Sequence, residues 1–278
     1  MAPPITRRTR ARARAARIAY GFLLPFLLVF SLSIVAPLIY AVVISLYKKR
    51  LVGGTLFVGL DNYVRAIQDP LFQEGLARVL AFLAVQVPCM LVIALCAALA
   101  IDSGRLAGRS AIRIGLFLPY AVPAVVAALM WGYIFGSEFG LAGQIFAFVG
   151  IPTPDFLGSD LMLASIGNVV TWSFVGYNML IFYAALRSIP MEIYEAAAID
   201  GAGEWRVAWS IKIPSLRPSI TLALIFSVIG SLQLFNEPSV LQALRPSVIT
   251  SNYTPNLYAY NLAFAGGQSN YAAAIAVI

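Results

Sequence analysis

The chain has 278 residues, a length that ordinarily predicts about two soluble domains, but its composition excludes them. Hydrophobic residues make up 60% of the chain and charged residues 11%, whereas soluble domains average about 45–50% and about 25%. There is no histidine, which excludes a Ser-His-Asp triad and histidine-ligated zinc or haem. The composition predicts an integral membrane protein that is not an enzyme and holds no metal or cofactor of its own.

Five stretches without Asp, Glu, Lys or Arg are long enough to cross a bilayer, which takes about 20 helical residues. In chain order they are residues 18–47, 79–101, 114–137, 161–186 and 219–236. A basic tail, residues 1–17, precedes them, and a sixth apolar run starts at Tyr271 and is cut at Ile278. We therefore expect an all-α, polytopic transmembrane bundle over residues 18–278, with six helices of which the sixth is truncated.

The positions of the basic residues predict the orientation of this bundle. The tail, the connection between the second and third runs and the connection between the fourth and fifth runs hold most of the 19 Lys and Arg residues. Because loops rich in Lys and Arg stay in the cytoplasm, the N-terminus is expected there, with residues 138–160 outside. Lys48-Lys49-Arg50 in the first outer loop is a local exception. The net charge of +7 is thus explained by a membrane and requires no nucleic acid.

The connection over residues 187–218 differs from every other loop. Its pattern predicts a short helix over Met191–Ile199, a break at Asp200-Gly201, and a second short helix over Glu204–Ile211 that Pro214 ends. Both helices are expected to expose apolar side chains, namely Ile193, Tyr194, Trp205 and Trp209. Such a patch indicates either a protein partner or an amphipathic hairpin that lies on lipid.

This connection resembles the EAA motif of ABC importer permeases, and we call residues 187–218 the EAA loop. The matching residues are Glu195-Ala196-Ala197, Gly201, Ile211 and Ile213-Pro214, with Ile213 at a position where the family usually has leucine. Ile189-Pro190 and residues 198–202 also resemble the carbohydrate branch of the family. Residues 57–63 resemble the first outer loop of the first permease subunit in maltose and glycerol-3-phosphate importers.

The resemblance implies an assembly and a role for the EAA loop. A permease of this kind works with a second permease subunit, a cytoplasmic ATPase dimer that holds ATP and Mg, and an extracytoplasmic sugar-binding protein. The chain itself has no GxxxxGK[ST] loop for nucleotide. The residues expected to couple the permease to the ATPase are Glu195, Ala196, Ala197, Asp200, Gly201, Ile211 and Pro214.

A pathway for a sugar needs hydroxyl-matching polar groups and aromatic faces within the spans. The candidates are Tyr120, Asn168, Thr171, Trp172, Asn178, Ser227, Ser231 and Gln233, with Tyr177 and Asn236 beside them. Polar side chains in membrane helices also serve to hold helices together, so this alternative stays open for each residue. Glu237 at the outer end of the fifth run is either an exposed helix-end carboxylate or a residue that acts as a gate or docks the extracellular binding protein.

These observations predict a permease subunit of a sugar-importing ABC transporter in the inner (plasma) membrane of a bacterium. Its partners would be the second permease, the ATPase dimer, the binding protein, the carbohydrate and membrane lipid. A secondary transporter is the alternative. It is less favoured because the spans lack the charged residues that ion-coupled transport usually uses.

Overall fold

The computed structural model describes residues 5–50, 53–137 and 140–278, with side chains from residue 17 onward. The first helices are α1 (Ile5–Phe30), α2 (Ala36–Ser45), α3 (Asp61–Gln68), α4 (Pro70–Asp102), α5 (Arg109–Phe117), α6 (Ala124–Ile134) and α7 (Leu141–Val149). The later ones are α8 (Met162–Leu186), α9 (Met191–Ile199), α10 (Glu204–Val207), α11 (Ile213–Ser215), α12 (Arg217–Leu232), α13 (Asn236–Leu244), α14 (Pro255–Phe264) and α15 (Ser269–Val277). A single hairpin of two short strands, β1 (Tyr47–Lys49) and β2 (Thr55–Phe57), is the only sheet in the described residues. The predicted helical class is confirmed.

The helices form two compact units, and the first comprises Met1–Asp69 and Ala259–Ile278. In it α1 runs through a π-helical turn, Ser31–Val35, into α2, and α15 packs against α2 and α3. The Asn62 amide donates to the Ser45 carbonyl over 2.7 Å, and the Tyr271 hydroxyl bonds to the Asp69 carboxylate over 2.7 Å. The first outer loop, which the sequence predicts to lack helices and strands, is therefore structured. It contains the hairpin and the helix α3. The side chains of the predicted basic tail lie outside the described residues, except that of Arg17.

The second unit, Pro70–Tyr258, is built on α4, α8 and α12. These helices pack through a core of small and aliphatic side chains, which includes Ala94, Ala98, Met179, Phe182 and Leu216. Alanine lets two helix backbones approach closely, and close packing drives association where the surroundings are as apolar as the side chains. This core extends from the membrane-spanning helices to Leu186, directly before the EAA loop, and to Leu216 at the end of that loop.

The third apolar run is not one straight helix. A 3₁₀ turn, Leu118–Ala121, follows α5, and the direction changes by 103° before α6. Pro123 has no N–H and holds Val122 in an extended conformation, with ψ of 126°, which ends the helix there.

The fifth run is also interrupted, because residues 233–235 separate α12 from α13. The break leaves backbone carbonyls without helical partners. The Asn256 amide donates to the Leu232 carbonyl over 3.0 Å, and the Thr254 hydroxyl donates to the Leu234 carbonyl over 3.0 Å. When its free carbonyls are hydrogen-bonded in this way, a broken helix is tolerated inside a protein at the depth of the membrane.

In the part of the chain that the structure describes, four helices are long and apolar enough to cross a membrane, and five if α5 and α6 form one bent span. They are Arg17–Ser45, Pro70–Asp102, Met162–Leu186 and Arg217–Leu244, with Arg109–Ile134 as the bent pair. Each of the five predicted runs is therefore mainly helical. The start of the predicted sixth run corresponds to α15.

Candidate functional site

A cavity of about 280 Å³, which we call the central cavity, lies between α4, α8, α12 and the start of α13. Its polar lining consists of Gln86, Tyr177, Asn178, Ser227, Ser231, Gln233, Asn236 and Glu237. The remaining lining is apolar or aromatic and includes Phe82, Phe174 and Phe226. A few polar groups on an apolar wall are typical of ligand pockets, which usually measure about 300–1,000 Å³.

The amide of Gln86 is the centre of the polar contacts between α4 and α8. Its Nε2 donates to the Thr171 hydroxyl over 3.2 Å and to the Met90 sulfur over 3.5 Å. The Asn178 amide also donates, to the Met90 sulfur over 3.7 Å and to the Phe174 carbonyl over 3.1 Å. Gln86 is only 6% exposed, and its Oε1 has no hydrogen-bond partner among the described residues. A buried acceptor of this kind is available to a donor on a ligand.

The structure brings some of the predicted pathway residues together and separates others. Asn178, Ser227, Ser231 and Gln233 all line the central cavity. The ring of Tyr120 stacks on that of Tyr177, which lines the cavity, with 4.9 Å between centroids.

Three further predicted residues lie elsewhere on α8. Asn168 and Thr171 line a second cavity of about 550 Å³ between α4 and α8. Trp172 packs edge-to-face on Trp131, with 5.9 Å between centroids, and is absent from the central lining. Helical spacing brings Asn168, Thr171 and Asn178 near one face, but α4 lies against that face and divides it. Thr171 reaches the central cavity only through Gln86.

Two polar residues of the central cavity were not predicted for it. Gln86 is a lone amide in an apolar run, and that isolation is the signal that could have identified it. Glu237 is only 8% exposed, so the expectation of an exposed helix-end carboxylate is wrong. The physical reason is the break at residues 233–235, which turns the start of α13 towards the cavity.

The first helix of the EAA loop, α9, has the predicted bounds and a defined C-terminus. Gly201 has a φ of +70°, and the Ala202 N–H donates to the Ala197 carbonyl over 2.9 Å while the Gly201 N–H donates to that of Ala198 over 3.1 Å. This pair of bonds is the Schellman motif, in which glycine adopts the left-handed conformation at low cost. Ala197 is buried, whereas Glu195, Ala196, Asp200 and Gly201 are exposed.

The second half of the loop differs from the prediction. After α10 a π-helical turn, Ala208–Lys212, leads into α11, so the chain remains helical past Pro214. The expectation that Pro214 ends the helix is wrong because Pro214 lies in the first turn of α11, where a missing N–H removes no helical bond. Ile211 and Pro214 are half-buried, as is Tyr194, which was expected to be exposed.

The EAA loop is tied to the end of α4 by two ion pairs. The Lys212 ammonium contacts the Asp102 carboxylate over 2.5 Å, with both side chains largely buried, and Arg105 pairs with Glu204 over 2.8 Å at the surface. Tyr194 lies beside the buried pair, with the Lys212 nitrogen 5.5 Å from its ring centroid. Burial raises the pKa of the Tyr194 hydroxyl, and the charge of Asp102 raises it further.

The amino-acid sequence of this chain is similar to those of known transport proteins. The family described as binding-protein-dependent transport system inner membrane component matches residues 91–278. The lactose transport system permease protein LacF of Rhizobium radiobacter is 35% identical over 269 residues, which cover 92% of this chain and 87% of that protein. The diacetylchitobiose uptake system permease protein NgcF of Streptomyces coelicolor is 35% identical over 237 residues. These cover 80% of this chain and 66% of that protein, so the chain spans just under two thirds of its length.

Among solved structures, a chain of a bacterial alginate ABC transporter, in complex with an alginate pentasaccharide-bound periplasmic protein, has the same fold. Its TM-score is 0.84 at 20% identity, and the match covers 96% of this chain and 90% of that chain. The resemblance that the EAA motif indicated is thus confirmed at the level of the family. The chain is a membrane permease that belongs to the family of binding-protein-dependent transport system inner membrane components.

Proposed function

We propose that this chain is a permease subunit of an ATP-driven importer for a sugar in a bacterial inner membrane. It would form the translocation pathway with a second permease, receive the sugar from an extracytoplasmic binding protein, and be driven by a cytoplasmic ATPase dimer that carries ATP and Mg. The named relatives transport lactose and diacetylchitobiose, which supports a carbohydrate. The periplasmic protein in the alginate transporter structure supports a binding protein.

The central cavity supports the substrate class. Amides, hydroxyls and aromatic rings line it together, and this combination suits the hydroxyls and C–H faces of a sugar. The cavity of about 280 Å³ is small for a ligand site. A second permease that adds its own wall would enlarge it, which supports a pathway made by two subunits.

The EAA loop is the observation that carries the proposal. Its two helices leave large apolar side chains in solvent, with Ile199 87% and Trp205 77% exposed, next to the carboxylate of Glu195. Exposed apolar groups beside a charge indicate a protein interface. Because Lys212 and Asp102 join this loop to α4, and α4 contributes Gln86 to the central cavity, movement of a bound ATPase would be transmitted towards the pathway.

Substitutions in the EAA loop of the assembled importer test this role. We expect Glu195→Ala, which removes an exposed carboxylate at the interface, to reduce ATPase binding and sugar uptake at least tenfold without loss of the permease from the membrane. Gly201→Ala is expected to act similarly, because a Cβ at a φ of +70° costs about 1 kcal/mol and distorts the end of α9. Co-purification of the ATPase and uptake of radiolabelled lactose or diacetylchitobiose in proteoliposomes measure both effects.

Glu192→Ala provides a matched control, since Glu192 is an exposed carboxylate in the first turn of the same helix. It is expected to leave ATPase binding and uptake within about twofold of the unmodified importer. Unchanged ATPase binding and uptake in both Glu195→Ala and Gly201→Ala would contradict the proposed coupling.

A further inference from the structure

We propose that Glu237 sets the charge selectivity of the central cavity, so that the cavity accepts neutral or cationic sugars and rejects anionic ones. This inference rests on the proposed function, because it names the class of sugar that the same cavity would pass. Charge and sequence position alone would place Glu237 at the surface.

Charged residues are scarce in the lining of the central cavity. Glu237 is 8% exposed and is the one ionisable carboxylate among the residues that line the cavity, none of which is Lys or Arg. The ion pairs that the described residues form do not include Glu237, and Arg245, the basic residue directly after its helix, pairs with Asp155 over 3.2 Å. A carboxylate is an acceptor only, so it suits hydroxyl or ammonium donors on a ligand.

The local backbone supports an acidic residue at position 237. Glu237 lies in the first turn of α13, where the helix dipole favours a negative charge. The break before α13 is fixed by Thr254 and Asn256, which bond to the Leu234 and Leu232 carbonyls. The carboxylate is therefore held in the cavity wall by the backbone, and no cation among the described residues forms an ion pair with it.

The rest of the cavity wall includes a second acceptor, the side-chain amide of Gln86. The buried Gln86 Oε1 has no hydrogen-bond partner among the described residues, and Gln86 is part of the lining of the central cavity. Glu237 and Gln86 together make the site rich in acceptors, which a sugar with hydroxyl or ammonium donors can satisfy. A ligand carboxylate would instead meet a like charge in surroundings less polar than water, where repulsion is stronger than in bulk solvent.

The charge of the cavity can be measured without knowledge of the natural sugar. In the assembled importer, with Cys89 and Cys96 replaced by alanine, a Ser227→Cys reporter in the cavity lining is reacted with the thiosulfonate reagents MTSET and MTSES. These carry a positive and a negative charge, respectively. We expect the ratio of the cationic to the anionic rate to fall by roughly tenfold when Glu237→Gln is added. Glu237→Asp, which keeps the charge, is expected to retain the ratio.

An Ala164→Cys reporter in the second cavity is the matched control, because Ala164 does not line the central cavity and Glu237 does not line the second one. The ratio of the cationic to the anionic reaction rate at Ala164→Cys should not change when Glu237→Gln is added. A Ser227→Cys ratio that is the same with glutamate and glutamine at position 237 would overturn the inference, and so would a reporter that neither reagent reaches.

Binding of paired sugars gives a second readout. Lactose and its anionic oxidation product lactobionate are titrated into the detergent-solubilised importer without its binding protein. We expect the unmodified importer to bind lactose roughly tenfold more tightly than lactobionate. Glu237→Gln should abolish this preference. Equal binding of the two sugars by the unmodified importer would overturn the inference. An importer that takes up no sugar contradicts the proposed function, whereas one that takes up lactose but whose preference for lactose over lactobionate is the same with glutamate and glutamine at position 237 contradicts this inference alone.

Discussion

Gly176 determines how closely α8 approaches its neighbour. A Cβ placed on Gly176 would overlap the Leu116 carbonyl and come within 2.8 Å of the Phe117 Cα, so the backbones of α8 and the α5 segment are in direct contact. Tyr177 and Asn178, which follow Gly176, line the central cavity. The absence of a side chain at one position therefore fixes the place of two residues in the candidate pathway.

Gly176→Ala should consequently be strongly destabilising. Helix propensity favours alanine over glycine by about 1 kcal/mol, but overpacking against a rigid backbone typically costs about 1–3 kcal/mol and here opposes a main-chain carbonyl. We expect a clear fall in the midpoint of thermal unfolding in detergent, together with reduced uptake.

Gly167→Ala on the same helix is the comparison for this experiment. A Cβ at Gly167 would meet only side chains at ordinary contact distances, the nearest being Phe82 at 3.6 Å. The unfolding midpoint of this variant should be unchanged or slightly raised. Equal midpoints for the two variants would show that the contact between α8 and Leu116 is not rigid.

At the scale of elements, the link between α4 and the EAA loop depends on the Asp102–Lys212 pair. The two side chains are only 9% and 15% exposed, whereas those of Arg105 and Glu204 in the neighbouring pair are 75% and 60% exposed. Removing one partner of a buried pair leaves a buried charge uncompensated, but an exposed pair is screened by water. Both pairs join the EAA loop to the end of α4 or to the residues just after it, but they should differ greatly in importance.

Lys212→Met is expected to destabilise the permease by about 3–5 kcal/mol, because it leaves Asp102 buried without its partner. Adding Asp102→Asn should restore most of that loss, whereas Arg105→Ala should cost only about 0–1 kcal/mol. Denaturant titrations of the purified protein, combined in a double-mutant cycle, measure these differences. A Lys212→Met effect as small as that of Arg105→Ala would exclude a structural role for the buried pair.

The elements differ in how far their sequence predicts them. Charge-free runs give the spanning helices, and α9 has its predicted bounds because its start at Pro190 and its end at Gly201 are encoded locally. The interruption at residues 233–235 has no comparable local signal, since the groups that stabilise it, Thr254 and Asn256, are distant in sequence. The burial of Glu237 follows from that interruption, and for this reason the sequence alone misplaced it.

On the scale of the whole molecule, apolar surface and charge are arranged for a membrane. The most apolar part of Arg17–Ser45 has no buried residue, and the side chains of Phe22 and Phe148 are 83% and 93% exposed. Such surface is stable only against lipid or another hydrophobic chain. The EAA loop, by contrast, carries both acids and bases, which suits an aqueous compartment.

The side of the membrane on which each loop lies remains a prediction from the Lys and Arg distribution, and single-cysteine labelling measures it. In a variant without Cys89 and Cys96, Ser210→Cys marks the EAA loop and Ser159→Cys marks the segment before α8, both at exposed positions. Because the basic loops are expected inside, a membrane-impermeant maleimide added to intact spheroplasts should label Ser159→Cys and should label Ser210→Cys only after permeabilisation. The reverse pattern would place the EAA loop outside, away from any cytoplasmic ATPase, and would contradict both the orientation and the proposed coupling.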